Sequence, residues 1–231
     1  MQETLVKMLL SEGASLVGFA DLSGLPARDR EFMDYAVWIG VALDPNIVRD
    51  MTRGPTKLYE IEYRSKNDLL KRLGRTASDY LQRNGFQTIQ RLATDEGVDL
   101  ETLSTSLPHK TVATRAGVGW IGKCGLLVTR EFGSAIRMAV VLTDAYLEGE
   151  IPIGVSHCGD CEECVIHCPA GAVKGPDWAK GMDREEYYDA HACQERIREY
   201  QAERGLGAEI CGICIAVCPL TQEYVRRALG R

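Results

Sequence analysis

Residues 158–169 read Cys158-Gly-Asp-Cys161-Glu-Glu-Cys164-Val-Ile-His-Cys168-Pro169. This is a C-x2-C-x2-C-x3-C-P run, the spacing that holds paired 4Fe-4S clusters in bacterial proteins. The short gaps let three thiolates curl around one cube-shaped cluster. The fourth thiolate points away towards a second cluster, and Pro169 turns the chain after it. A second stretch, Cys211-Gly-Ile-Cys214-Ile-Ala-Val-Cys218-Pro219, keeps the C-x2-C-x3-C-P ending but lacks the first cysteine. Cys193 lies upstream and can supply the missing thiolate. Cross-wiring then gives Cys158, Cys161, Cys164 and Cys218 to one cluster. Cys168, Cys193, Cys211 and Cys214 go to the other. A pair of zinc sites is the competing reading, because zinc also uses C-x2-C pairs. Zinc has no need of the full run or of its partial repeat.

Working outward, the chain has 231 residues, 45% of them hydrophobic and 26% charged. These values exclude a disordered, collagen-like or coiled-coil chain. The net charge is −6, so a broad basic footprint for nucleic acid is absent. No apolar run approaches the roughly 18 residues of a membrane span. The opening MQETLVKMLLSEGASLVGFA mixes acids with apolar residues and reads as an amphipathic helix of a mature protein. Of nine cysteines, eight lie between Cys158 and Cys218. That crowding after ordinary globular sequence suits an intracellular metal-binding segment better than a secreted disulfide scaffold.

The expected fold is an α/β (α+β) N-terminal domain, residues 1–150, followed by a small ferredoxin-like double-cluster domain, residues 151–231. Leu5, Met8 and Leu9 share one face of a first helix. Leu16–Ala20 follows Gly13 as a strand. Ala36–Leu43 is almost continuously apolar, as expected of a strand covered on both faces. From Thr56 to Arg83 the apolar residues recur at helical steps, and Gly85 is placed to end that helix. Phe86–Ile89, Leu126–Thr129 and Ala135–Thr143 read as further strands. Residues 151–231 hold two short helical patterns, Arg184–Cys193 and Gln194–Arg204. Their apolar content is too thin for a core, so metal clusters are expected to hold that region together.

The stretch Ala113–Thr129 places four glycines, Gly117, Gly119, Gly122 and Gly125, in nine residues. Such a loop lets a ligand approach the backbone closely. Trp120 offers a face for stacking and Lys123 a charge for a phosphate or carboxylate. It is not a phosphate-binding G-x-x-x-x-G-K-[ST] loop, because Cys124 stands where Ser or Thr is required. A tight structural loop is the plain alternative. Cys124 is left over from the cluster ligands and can be a reactive thiol, a cofactor contact or a small buried apolar residue. His157 and His167 are read as tuning hydrogen bonds near the clusters, and Trp178 as packing over a cluster.

The segment RAGVGWIGKCGLLVTREFGSAIRMAVVLTD followed by the cysteine run resembles the epoxyqueuosine reductases and, more distantly, the cobalamin-dependent reductive dehalogenases. The resemblance implies a cobalamin held in the N-terminal region and supplied with electrons through the two clusters. It implies that Gly117, Gly119, Trp120, Ile121, Gly122 and Lys123 bind that cofactor. There are departures. Cys124 stands where the family has Asn or His. The family's Val-Asp proton donor has no counterpart in Leu103–His109, so His109 is the candidate proton donor, with an unperturbed pKa of about 6.5. The chain is expected to be a short form without the family's C-terminal helical region. With its negative charge, that puts a tRNA substrate in doubt.

The favoured reading is an iron–sulfur reductase, filled by an external electron donor of flavodoxin or ferredoxin type and acting on a small-molecule or unknown substrate. Its low-potential clusters call for a reducing cytoplasm, without membrane attachment. The alternative is a ferredoxin-like electron-transfer protein, or a partner that reactivates another protein's corrinoid.

Overall fold

The computed structural model describes residues 1–92 and 98–230. In chain order, α1 (Gln2–Ser11) leads into β1 (Leu16–Asp21) and β2 (Tyr35–Ala42). A short α2 (Pro45–Arg49) is capped by the Asp44 side chain, which accepts from the Asn46 N–H at 2.8 Å, with Pro45 in the first turn. The long α3 (Lys57–Arg83) ends where Gly85 takes φ 89°, and β3 (Thr88–Arg91) follows. Then come α4 (His109–Arg115), β4 (Trp120–Ile121), β5 (Leu127–Val128) and β6 (Ile136–Thr143). The cysteine-rich region contains α5 (Glu163–Ile166), α6 (Arg184–Tyr187), α7 (Ala190–Arg204), α8 (Ile213–Val217) and α9 (Pro219–Leu229).

The chain forms two compact units. The first comprises Met1–Ala42, Ser65–Gly119 and Arg137–Ile153. Its sheet has the order β1-β2-β6-β3, with β1 antiparallel to β2 and β3 antiparallel to β6. Strand β2 is buried at six successive positions, Ala36–Val41, which agrees with its unbroken apolar sequence. Its odd-numbered side chains, Val37, Ile39 and Val41, join Leu5 and Leu9 of α1 and Leu70, Leu73 and Leu81 of α3 in one core. The mixed helix-and-strand class is as expected.

The second unit comprises Leu43–Arg64, Trp120–Ile136 and Gly154–Arg231. It is not the linear stretch after residue 150, and the reason is apolar supply. Leu206, Ile210, Ile215, Ala216 and Val225 are too few to close a core alone. Leu43, Val48, Met51, Tyr59 and Ala135, all from earlier in the chain, complete it. A hydrogen bond from the Tyr224 hydroxyl to the Leu43 carbonyl, 2.8 Å, ties α9 into this core. The region is therefore held by burial as well as by its cysteines.

Three elements differ from the sequence reading. Helix α7 runs unbroken through Cys193 and Gln194, because Asp189 caps it on the His191 and Ala192 N–H groups, each at 3.0 Å. The expected earlier helix shrinks to α6. The glycine-rich stretch Ala113–Thr129 contains the end of α4 and the β4–β5 hairpin, paired Trp120 to Val128 and Ile121 to Leu127, so that the expected strand Leu126–Thr129 gains β4 as its partner. Among the described residues no helix is long and apolar enough to cross a membrane.

Candidate metal centre

The first cysteine run is a sequence of tight turns. The Cys158 N–H donates to Ser156 Oγ at 3.2 Å, and the Cys161 N–H to the Cys158 carbonyl at 3.2 Å. Helix α5 carries Cys164, and the chain leaves it through Cys168 and Pro169. The Ala172 N–H donates to Cys168 Sγ at 3.3 Å. Cys193 sits in the first turn of α7, set by the Asp189 cap. Cys211 precedes Gly212, Cys214 lies in α8, and Cys218 stands at the start of α9 with Pro219 in its first turn.

Gly212 explains how Cys211 is placed. Its φ is +90°, and a Cβ would lie 3.1 Å from Met51 Sδ and 3.1 Å from the Tyr59 ring. The turn before it is clamped from α3. Glu60, 8% exposed, accepts from the Gly207 N–H at 2.8 Å and from Arg64 at 3.0 Å. Arg64 also donates to the Gly207 carbonyl at 2.8 Å, and Lys57 to the Gly205 carbonyl. The Arg64 bond holds the Glu60 carboxyl below its ordinary range, outweighing the cost of burial.

The thiols group across the two runs. Cys193 and Cys211 each have Cys168 as a charged-form neighbour, and Cys211 has Cys193 as well. The Cys218 thiol has Cys158 beside it. Burial is the main reason that all three, Cys193, Cys211 and Cys218, are pushed up as free thiols. The Tyr188 hydroxyl lies near Cys193 and Cys214, and burial pushes its pKa up. A thiol donor set so arranged suits iron–sulfur clusters, whose binding removes the thiol protons and the penalty they reflect. Among the described residues no three His, Cys, Asp or Glu side chains converge as a single metal ion requires.

The glycine-rich stretch behaves otherwise than its composition suggests. Trp120 and Ile121 are 3% and 4% exposed. The Trp120 ring lies edge-on to His157, centroids 5.0 Å apart, and its buried indole N–H has no partner among the described residues. Lys123 turns its ammonium onto the Gly159 carbonyl at 2.7 Å, inside the first cysteine run. Space beside Gly117 is filled by the chain itself, since a Cβ there would lie 2.7 Å from Glu150 and 2.9 Å from the Ile151 carbonyl. Gly119 ends the segment that belongs to the first unit. His109 is the first residue of α4 and half-buried.

His167 bonds the Glu163 carbonyl at 2.9 Å. Trp178 packs with Ile121 and Tyr187. Sequence reasoning missed Tyr188 and the Glu60 clamp. Neither has a motif, although the Asp189 cap preceding Cys193 is legible once a helix is assigned there.

Residues 157–221 match the family described as a 4Fe-4S double cluster binding domain. The chain is 31% identical over 121 residues to the epoxyqueuosine reductase of Synechocystis sp., covering 52% of this chain. That match spans 42% of the relative's length. An epoxyqueuosine reductase solved with an epoxyqueuosine-modified tRNA stem loop has a TM-score of 0.66 at 20% identity. It covers 96% of this chain and 65% of that one. A reductive dehalogenase described for B12-dependent dehalogenation has a TM-score of 0.70 at 17% identity, covering 98% of this chain and 33% of that one. The zinc reading gives way to this combination of family match and paired thiols. The chain therefore carries a double 4Fe-4S cluster binding domain and resembles the epoxyqueuosine reductases, in sequence over half its length and in fold over nearly all of it.

Proposed function

We propose that this chain is an iron–sulfur reductase working in the manner of the epoxyqueuosine reductases. Cys158, Cys161, Cys164 and Cys218 hold one 4Fe-4S cluster, and Cys168, Cys193, Cys211 and Cys214 the other. The observation that carries this reading is the proximity of half-buried thiols far apart in the chain, Cys218 near Cys158, and both Cys193 and Cys211 near Cys168. When bound, the clusters supply one-electron steps at low potential. The chain's own residues keep the thiolates in place: Ser156 and Ala172 through the first run, Asp189 at Cys193, and the Glu60 clamp before Cys211. Electrons enter from an external flavodoxin- or ferredoxin-type donor, in a reducing cytoplasm.

The proposed electron acceptor is a cobalamin, on the strength of the fold shared with the B12-dependent dehalogenase. Trp120, Ile121, Gly122 and Lys123 do not fit a seat for it, because they are buried or bonded within the cluster unit. His109, at the start of α4, is the proposed proton donor. The substrate is a small molecule or a tRNA. The structural relative solved with a tRNA stem loop removes the ground for setting tRNA aside.

The closed glycine-rich hairpin favours one second reading, an electron-transfer protein or corrinoid-reactivating partner without a cofactor of its own beyond the clusters. Anaerobic reconstitution with iron and sulfide, a metal count and a visible spectrum with added cobalamin separate the two. About eight irons per chain with a retained corrinoid supports the reductase. The same iron with a corrinoid that washes off supports the electron-transfer protein. Fewer than two clusters overturns both.

A further inference from the structure

Helix α3 opens with Lys57-Leu58-Tyr59-Glu60-Ile61-Glu62-Tyr63-Arg64, and its sides meet different surroundings. Tyr59 turns inward: a Cβ on Gly212, the residue after Cys211, would lie 3.1 Å from its ring. Glu60 is buried on the Gly207 N–H, and half-buried Glu62 accepts from the Asp44 N–H at 2.8 Å. Leu58 and Ile61, three residues apart and so on one face, are left 62% and 64% exposed. The charge at the surface around them is positive. Arg53, Lys57 and Arg64 are exposed, whereas the two carboxylates of residues 53–64 are the inward-bonded Glu60 and Glu62. Arg204 joins them, its guanidinium bonded to the Arg53 and Pro55 carbonyls at 2.7 Å each. The first cysteine run presents the opposite sign. Asp160, Glu162 and Glu163 are exposed there, and residues 158–168 contain no Lys or Arg.

We propose that the Leu58–Ile61 face docks an acidic one-electron carrier protein, and that the electron enters at the cluster held by Cys168, Cys193, Cys211 and Cys214. The inference deepens the reductase reading above and rests on its ligand assignment. An apolar centre with a cationic rim suits a partner that surrounds its own apolar patch with carboxylates. The same partner is repelled by the exposed acids of the first cysteine run, so charge selects between the two clusters. The docking face also leads to a ligand. Tyr59 stands on the same helical turn as Leu58 and Ile61 and touches the loop of Cys211 from the inner side. In the step itself one electron leaves the reduced carrier and reduces the oxidised second cluster. The carrier is left oxidised, and no bond forms or breaks. The first cluster is then reduced by the second.

The probe is an acidic plant-type 2Fe–2S ferredoxin, reduced beforehand and mixed in excess with the reconstituted chain without oxygen. Cluster reduction is followed by stopped-flow absorbance. The parent's rate is expected to fall as salt rises from about 0.01 M to about 1 M, where the screening length shrinks from about 30 Å to about 3 Å. Ile61→Glu and Arg53→Glu should each lower the low-salt rate about tenfold. Ile151→Glu, at an apolar residue 87% exposed elsewhere on the chain, should leave it unchanged. Dithionite, too small to need a docking face, should reduce all four proteins alike. Cys193→Ala, keeping only the first cluster, should still react with dithionite but lose the fast reaction with ferredoxin. Equal ferredoxin rates in the parent, Ile61→Glu and Arg53→Glu overturn the docking surface, and so does an equal loss in Ile151→Glu. A parent that dithionite reduces and ferredoxin does not overturns it too. So does a parent dimer that Ile61→Glu turns into a monomer, which would give the face to a second copy. If Ile61→Glu does not fold, Arg53→Glu decides. An unaltered ferredoxin rate in Cys193→Ala overturns the point of entry. A parent without two clusters overturns the ligand assignment instead, which its iron count shows before any mixing.

Discussion

Cys193 is half-buried at the start of α7, with Cys168 and the Tyr188 hydroxyl as neighbours. In the proposed ligand set, replacing it by Ala removes one of four thiolates from the second cluster. The reconstituted Cys193→Ala protein is expected to hold about half the iron of the parent, read by colorimetric iron assay. Full iron content would remove Cys193 from the ligand set. Tyr188→Phe is a milder change at the same place. It removes a hydroxyl near Cys193, and the expected result is full iron with a lowered potential for the second cluster only. His109→Gln should leave iron and cluster spectra unchanged while slowing any substrate turnover that needs a proton. Equal turnover in the two proteins would take His109 out of the chemistry.

Among the elements, the first turns of α3 carry the clearest prediction. Glu60 is buried, paired with Arg64 and bonded to the Gly207 N–H, so it binds its proton less readily folded than unfolded. Its contribution to stability is complete above the ordinary glutamate value of 4.5. It is lost as the pH falls through the lower folded value. Glu60→Gln should flatten that acid limb and loosen the Gly205–Gly207 turn before Cys211. Unfolding followed by circular dichroism across the acid range tests this, and superimposable limbs for the two proteins would exclude the clamp. The elements also show what a single sequence can reveal. Strands β1, β2 and β6 and helix α3 were legible because each is long and strongly patterned. The small α2 and the two-residue strand β4 were not, because elements so short have no period to read, whereas β5 falls inside the apolar stretch Leu126–Thr129. Asp189 shows the same limit at one residue: its cap joins two expected helical patterns into one helix through Cys193.

At the scale of the molecule, stability and redox chemistry rest on different cores. In the first unit Leu70, with no exposed surface, packs among Val37, Leu73 and Leu81. Leu70→Ala is expected to cost about 2–5 kcal/mol in chemical denaturation, since the cavity forms in a closed core. Little or no loss would show that this core is looser than its burial indicates. The cluster unit is a composite, because residues 43–64 and 120–136 are needed to cover Ile210, Ile215 and Val225. The sequence by itself determined the cofactor class, since the C-x2-C-x2-C-x3-C-P spacing and its partial repeat are local and chemically specific. It also determined the mixed α/β character, through strand and helix periods that depend only on near neighbours. Only the tertiary structure decided that Lys123 turns into the first cysteine run instead of an open ligand site, that Cys124 is buried, and that Glu60 clamps the turn before Cys211. Those placements depend on contacts between residues far apart in the chain, where burial and hydrogen bonding outweigh what composition suggests.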